Sequence, residues 1–412
     1  VPTPRDRRAR VATWAAFFVQ GLCFATLLTH VIDLQHKFGL SDGDLTLVLL
    51  LVPVIAGIGS GVAGPLAARY GSAAVLRVSQ PGVCAVVILI GWNDLLTGLY
   101  ALSAAFGLLV GAVDAAMNMQ AVAVERRYGM SVLTGFHAVW SVGSMLGAGV
   151  NSAFSALGAG QGWSFTVPVA IGAAVSVAML PRLYERTEEA TGQAGETTGG
   201  AGEAAGQAGG TAGGDAAAAR VPWRPIVPLC LAMAFLYVGD AAISNYGTVY
   251  MEKALHAGGW LVPFAYLIYQ AAMLLARVPG DLAVRRYGPV PVVRAGAVIA
   301  AVGMAGIVVA PGVPVAVAAF GIAGIGLSII APQSFSAAGR LGAGAETAIA
   351  RVNMFNYVGF LVGAAVVGVL NDTVNARVAF VPAAVMVGLI LFLARGFRPT
   401  GEPAGREVAH RV

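Results

Sequence analysis

Charge is what this sequence has least of. Asp, Glu, Lys and Arg make up 11% of its 412 residues, less than half the share found in soluble domains. The deficit is spread along the whole chain, which excludes an ordinary soluble globular protein. Cysteine is scarce too. Cys23, Cys84 and Cys230 are an odd set with no pair favoured by spacing, and all lie in apolar segments. They read as small buried hydrophobes, not as a disulfide framework, metal site or redox site. His30, His36, His256 and His410 are scattered near span ends, in outer loops and in the tail. There is no phosphate-cradling glycine loop, no cluster at metal-ligand spacing and no nucleophile with a base. No cofactor, no metal and no enzymatic reaction are expected.

What the chain has instead is apolar length. Hydrophobic residues are 58% of it, and segments of about 20 residues, enough to cross a bilayer as helix, recur throughout. Twelve spans are expected at roughly 11–32, 45–68, 74–92, 96–122, 132–157, 162–181, 226–250, 260–283, 290–310, 314–339, 348–370 and 377–395. The basic run Arg5 to Arg10 resembles the start of a signal peptide. No convincing cleavage site follows, so span 1 reads as a retained helix. With a cytoplasmic amino terminus, only Lys37, Lys253 and Arg377 of the 25 basic residues fall away from cytoplasmic segments. This places both termini in the cytoplasm. The pI of 9.3 therefore reflects membrane topology and not nucleic-acid binding. The expected partners are the lipid bilayer, protons and a small-molecule substrate. The expected setting is a multi-pass monomer in the cell membrane.

From about Thr187 to Ala219 the chain is Gly, Ala, Thr, Gln and Glu without a bulky apolar residue. Such a stretch cannot bury a core and is expected to be disordered. It separates a first six-helix bundle (1–181) from a second (225–396). The linker occupies 182–224 and a cytoplasmic tail 397–412. The bundles are related. RYGSAAVLR (Arg69 to Arg77) follows span 2, and RYGPVPVVR (Arg286 to Arg294) follows span 8. Matched residues at one offset, in the same place of a six-span unit, point to duplication. Parallel repeats of this kind suggest a transporter with its site between the halves near mid-membrane.

With these loops, GAVDAAMNMQAVAVE (Gly111 to Glu125), GFHAVWSVGSMLGA (Gly135 to Ala148), RVPGDLAVRRYG (Arg277 to Gly288) and IIAPQSFSAAGRLG (Ile329 to Gly342), the sequence resembles the major facilitator superfamily. It is most similar to the YbjJ-like, fucose-permease-like branch. The resemblance covers nearly all the chain except the linker and tails. It implies an all-α membrane protein of two pseudo-symmetric six-helix bundles around a cavity lined by spans 1, 4, 7 and 10. There are departures. The superfamily's loop after span 2 usually reads G-x-L-A-D-R-x-G-R-R, and here Ala68 stands where the Asp belongs. Arg69 and Gly71 remain, as do Arg286 and Gly288 in the second half. Asp281, with Arg277 one turn before it, is expected to form the surviving cytoplasmic latch against the start of span 5 and Arg340. Drug antiporters of the superfamily end span 5 in Gly-Pro, whereas here Gly147 to Val150 carry no proline.

The polar residues inside the spans are the candidates for function. Asp114 falls about 8 Å to the cytoplasmic side of the middle of span 4. An aspartate at a helix centre costs roughly 2.5–3.5 kcal/mol on insertion scales. Asn118 shares its face at i, i+4, and Glu125 continues the stripe. His137 in span 5 is level with the gap between Asp114 and Asn118. The three are expected to meet, either as a proton-coupling site or as a structural knot that never titrates. Asp240 in span 7 is the second coupling candidate, with Asn245 and Tyr246 beyond it. Gln20 in span 1, Tyr266, Tyr269 and Gln270 in span 8, Ser328 and Gln333 in span 10, and Asn353 and Asn356 in span 11 are substrate-cavity candidates or interhelical hydrogen bonds. Arg277, Arg340 and Arg351 all fall near cytoplasmic ends, so no deep arginine awaits a dianion. The set suits a neutral, hydroxylated or amphiphilic solute. Gly57, Gly61, Gly143, Gly147, Gly359 and Gly363 form small-xxx-small pairs for close helix packing.

The leading reading is a secondary active transporter of a small organic solute, proton-coupled and independent of ATP. The alternatives are an exporter of a drug or secondary metabolite by proton antiport, and a transporter-like receptor for a solute.

Overall fold

The computed structural model describes residues 2–158, 160–189, 222–258, 261–262, 264–341 and 344–399. Most of the expected linker, the tail beyond Pro399, His410 and Gly342 lie outside the described residues. Among those described there are helices and no strands. The first half comprises α1 (Pro4–Thr29), α2 (Val31–Phe38), α3 (Asp42–Tyr70), α4 (Ser72–Trp92), α5 (Leu96–Tyr128), α6 (Leu133–Ala156) and α7 (Gln161–Met179). The second comprises α8 (Trp223–Lys253), α9 (Phe264–Tyr287), α10 (Pro289–Val309), α11 (Val313–Leu327), α12 (Ile330–Gly339), α13 (Ala345–Thr373) and α14 (Val381–Leu393). Eleven helical stretches among the described residues are long and apolar enough to cross a membrane, and α6 stands where span 5 was expected.

Local chemistry sets the helix ends. Thr3 with Asp6, and Ser41 with Asp44, form reciprocal capping boxes that start α1 and α3. The two RYG turns end α3 and α9 on glycines at φ of 88° (Gly71) and 80° (Gly288), a region open chiefly to glycine. Arg69 and Arg286 each lie over the tyrosine of their own turn, 5.2 and 5.5 Å from the ring centre. The duplication read from the sequence thus extends to side-chain packing. Span 10 was expected as one helix and is broken at Ser328–Ile329. Pro332 is the cause, since it cannot donate to the carbonyl of Ser328 four residues earlier.

Helix neighbours repeat between the halves. α1 packs on α6 as α8 packs on α13, α3 on α5 as α9 on α11, and α4 on α7 as α10 on α14. The halves meet along two seams related by the same symmetry, α3 against α13 and α6 against α9. Four of the six singled-out glycines allow close approach. A Cβ on Gly143, Gly147, Gly359 or Gly363 would run into Phe18, Leu22, Ala234 or Val238 respectively. Gly57 and Gly61 do not serve this purpose: a Cβ would make only ordinary contact at Gly57 and meet nothing within 4 Å at Gly61.

Two further expectations change, and the cysteines are free and buried as expected. Cys23 and Cys84 are neighbours, with Sγ atoms 3.7 Å apart between α1 and α4. His30 is buried, with Nδ1 at 2.7 Å from the Thr26 carbonyl and Nε2 at 2.8 Å from the Ser164 hydroxyl. The chain after α7 is not loose at Thr187. Residues 183–189 form a strap across the end of the first half. Arg5 donates to Glu188, Arg77 donates to Glu185 and Arg186 donates to the carbonyl of Arg69. Glu189 is buried against Ser72 and Gln120.

Candidate functional site

Asp114 is the centre of the site. Its helix runs to Tyr128, further than expected, so Asp114 stands only about 3 Å past the helix midpoint at the usual rise per residue. The half-buried carboxylate accepts from Gln20 Nε2 of α1 at 3.1 Å and from the Tyr357 hydroxyl of α13. Asn118 donates to the Asp114 backbone carbonyl at 2.8 Å. Both donors to the carboxylate are uncharged. A buried acid without a basic partner is expensive to keep ionised. Here it joins the two halves through a neutral hydroxyl.

His137 does not meet Asp114 and Asn118. Its ring lies 5.3 Å from Phe17 and 6.0 Å from Phe335, stacked on the latter. The period of a helix gives depth but not which neighbour a face meets, and the aromatic rings take this face. The expected trio is replaced by Gln20, Asp114 and Tyr357.

Asp240 forms a second cluster. The Tyr269 hydroxyl donates to it at 2.6 Å, and Arg277 acts on it electrostatically. Arg277 corrects two expectations. It is buried and not at the helix end, because α9 continues to Tyr287, ten residues or about 15 Å further. It also does not pair with Asp281. Its Nη1 crosses to α6, donating to Ser141 Oγ at 2.6 Å and to the His137 carbonyl at 3.4 Å. Tyr237 of α8 lies near Asp114, Asp240 and Arg277. Gln20 Oε1, Asn118 Oδ1, His137 Nε2 and Arg277 Nε are buried in the protein without a hydrogen-bond partner.

The remaining candidates divide. Asn353 donates to Ser60 at 3.1 Å and Ser60 to the Ala350 carbonyl at 2.9 Å, which ties the α3–α13 seam. Tyr246 donates to the Ala364 carbonyl, Gln270 to Tyr266, and Ser328 to the Ile325 carbonyl. These bonds stay within the second half. Asn245 is exposed and Asn356 half-buried. Gln333 lines a different cavity, at the end of the molecule where the RYG turns lie.

At that end Asp281 meets the start of α6. Its Oδ1 accepts from Thr134 N at 3.0 Å and Ser131 Oγ at 2.9 Å, and its Oδ2 accepts from Gly135 N at 2.8 Å. Glu125 accepts from Val132 N and Leu133 N at 3.0 and 3.2 Å. Two carboxylates, one from each half, thus satisfy amides of the first turn of α6 that have no partner within the helix. Arg340 was expected at Asp281 but donates to Ser336 and to the Phe397 carbonyl, and Ser336 donates to Glu125. Among the described residues, these hydrogen bonds between the halves lie from the level of Asp114 toward this end.

Tyr357, Tyr237, Ser60 and Ser141 were missed from the sequence. Tyr357 carried one available signal, since it shares a helical face with the flagged Asn353 at i, i+4.

The sequence model described as Major Facilitator Superfamily matches residues 13–344 and 229–411. An uncharacterised MFS-type transporter of Yersinia pestis is 27% identical over 391 residues, covering 94% of this chain and 95% of that one. An uncharacterised transporter of Sinorhizobium fredii is 25% identical over 381 residues, covering 92% and 96%. Among solved structures, the fold is similar to that of the fucose transporter FucP in its outward conformation, with a TM-score of 0.74 at 16% identity, covering 95% of this chain and 98% of that one. It is also similar to the proton:xylose symporter XylE, with a TM-score of 0.69 at 14% identity and 96% coverage of both.

Proposed function

From the premise that this chain belongs to the Major Facilitator Superfamily, a family of transport proteins and not of enzymes, we propose that it is a proton-coupled secondary transporter. It moves a small neutral, polyhydroxylated solute across the cell membrane by alternating access. The observation that carries this is the Asp114–Tyr357 contact. A lone carboxylate near mid-membrane is shared between the two halves and held by uncharged donors only. When the halves part, Tyr357 leaves with one half and Asp114 stays with the other. Proton uptake at Asp114 and the change of access are then one event.

The solute class follows from the groups around it. The deep cation Arg277 is engaged with Ser141 and the His137 carbonyl, and with Asp114 and Asp240 in the same region the site offers no net positive charge for an anion. The unpartnered amide oxygens of Gln20 and Asn118 and the nitrogen of His137 offer acceptors and donors of the kind hydroxyls satisfy. The FucP and XylE likenesses support sugars as first probes. The termini are cytoplasmic in this reading. The meeting of the halves at that end makes the structure outward-facing, with Asp281 as the latch. Arg69, Arg286, Gly71 and Gly288 shape the turns that move with it.

The test uses purified protein in liposomes with labelled fucose and xylose. Asp114→Asn should abolish accumulation driven by a pH gradient while counterflow exchange persists. Accumulation undiminished in Asp114→Asn would overturn the assignment.

A further inference from the structure

A groove of about 360 Å³ runs between α10 and α14. Ala301, Ala305 and Val309 of α10 and Val381, Ala384 and Val385 of α14 line it. Along α10 it extends from Ala301 to Val309, about 12 Å at the usual rise per residue. Neither helix takes part in the two seams between the halves. Val309 and Val385 are 73% and 58% exposed, so the groove opens to the bilayer and not to the central cavity. Hydrocarbon, not water, meets this surface. A lipid chain gains nothing there from leaving water, and close van der Waals contact is what holds it. Two helices lined by alanine and valine offer that contact to a chain lying between them.

The far end of the groove carries a cation. α10 starts at the second RYG turn, so its last residues lie at the opposite end of the molecule. Arg377 stands there, four residues before Val381. Its Nη1 donates to the carbonyl of Ala310 at 2.5 Å and of Val308 at 3.4 Å, on either side of Val309. Carbonyls at a helix end lack partners within the helix, and a basic side chain can meet them. That duty occupies one nitrogen of a group with five N–H donors. Nε and Nη2 have no hydrogen bond or ion pair among the described residues. The nearby acid Asp372 is exposed and accepts from Asn371. Arg377 is also one of only three basic residues placed away from cytoplasmic segments, where membrane topology disfavours them. Capping a helix does not in itself require a charge.

We propose that the groove and Arg377 together form a site for one anionic phospholipid. An acyl chain lies between α10 and α14, and the headgroup phosphate sits on the Nε–Nη2 edge of the guanidinium. That edge presents two parallel N–H donors, the arrangement that binds phosphate through paired bonds. A zwitterionic lipid brings the same phosphate together with a cation of its own, which weakens the net attraction. A bound lipid bridges the end of α10 and the start of α14, and by binding the folded form it stabilises it through mass action. With cytoplasmic termini the lipid belongs to the outer leaflet. That leaflet assignment rests on the topology of the transport reading, and the binding does not.

Phosphatidylglycerol is the probe, with phosphatidylcholine of the same acyl chains as control. Thermal stability of the full chain in detergent is measured against lipid concentration. Phosphatidylglycerol should stabilise the protein saturably and about tenfold more tightly than phosphatidylcholine, the yield of one charge-assisted pair. Arg377→Gln keeps a donor for the α10 carbonyls and should erase this preference. Lys253→Gln removes another basic residue of the same side and should leave the preference intact. Ala305→Phe fills the groove from an exposed position and should weaken both lipids about tenfold. It keeps the test decisive should Arg377→Gln not fold. Equal binding of the two lipids by the unmodified chain, a preference that survives in Arg377→Gln, an equal loss in Lys253→Gln, or undiminished binding in Ala305→Phe would each overturn the proposal and mean lipid that merely surrounds the protein. Asp114→Asn should bind phosphatidylglycerol as the unmodified chain does, so that failure of the transport reading and failure of this site are told apart.

Discussion

Asp281 of α9 accepts a hydrogen bond from the backbone amide of Gly135 in α6 at 2.8 Å, across the boundary between the halves. A Cβ on Gly135 would stand 3.3 Å from the same carboxylate oxygen, a tight contact that the Asp281 side chain would have to shift slightly to relieve. A charge at a helix amino terminus is worth about 0.3–1 kcal/mol when exposed and up to ~2 kcal/mol when partly buried. Asp281→Asn should therefore shift the population toward inward-open by about tenfold. A cysteine placed at buried Ala337 (6% exposed) reports this through the rate of maleimide labelling from the cytoplasmic side. An unchanged rate rejects the latch.

The Asp114–Tyr357 bond predicts non-additivity. Asp114→Asn and Tyr357→Phe each break the same contact, so the double variant should lose no more stability of the closed form than the larger single loss. The coupling expected for a hydrogen bond to a charged group is about 1.5–3 kcal/mol. Thermal stability of the four proteins measures it, and additive effects would mean the hydroxyl and carboxylate do not act together.

Glu189 predicts a pH dependence at the strap. Burial raises its carboxyl from 4.5 to about 7 against the opposing hydrogen bonds from Ser72, with Glu346 and Glu185 also raising it. A raised acid binds more protons folded than unfolded between those two values, so its contribution falls as pH rises through that window and is level above it. Glu189→Gln should abolish this slope and leave the variant more stable than wild type at pH 8 by roughly 2–3 kcal/mol. Melting temperatures between pH 5 and 8 decide it, and parallel curves for both proteins would count against a buried neutral Glu189.

Two glycines that look alike in sequence should behave differently. Gly359→Ala would drive a methyl into the backbone of α8 at Ala234, whereas Gly61→Ala meets nothing within 4 Å. Overpacking of this kind costs about 1–3 kcal/mol, and more when backbone is struck. Gly359→Ala should lower the melting temperature sharply and Gly61→Ala barely, and equal effects would refute the packing account.

The spans were readable because apolar length is a direct requirement of the bilayer. The duplication was readable because Gly71 and Gly288 end equivalent helices in one unusual conformation. Asp114 and Asp240 stood out because a carboxylate at that depth is costly wherever it points. Their partners did not stand out. Tyr357 reaches Asp114 across 243 residues of sequence, and a tyrosine is unremarkable in a membrane helix until packing shows what its hydroxyl touches. Arg277 was misplaced in depth because α9 continues past the apolar segment. His137 was placed at a reasonable depth but on the wrong neighbour, since rotation about a helix axis is set by packing.

The two seams between the halves are related by symmetry yet closed by different chemistry. At α6–α9 the ties are the Asp281 carboxylate and the Arg277 and Arg285 guanidinium groups, whereas at α3–α13 they are Ser60 and Asn353, with Gly64 at the position equivalent to Asp281 and Ala68 at the position equivalent to Arg285. Charge-assisted bonds are roughly twice as strong as neutral ones. The inner door is thus bolted along one edge and merely latched by friction along the other. It should swing in place of parting evenly, with the α3–α13 edge yielding first and the α6–α9 edge serving as the hinge post. Paired spin labels across each edge would show unequal widening, and equal widening would show that the bolt does not steer the swing.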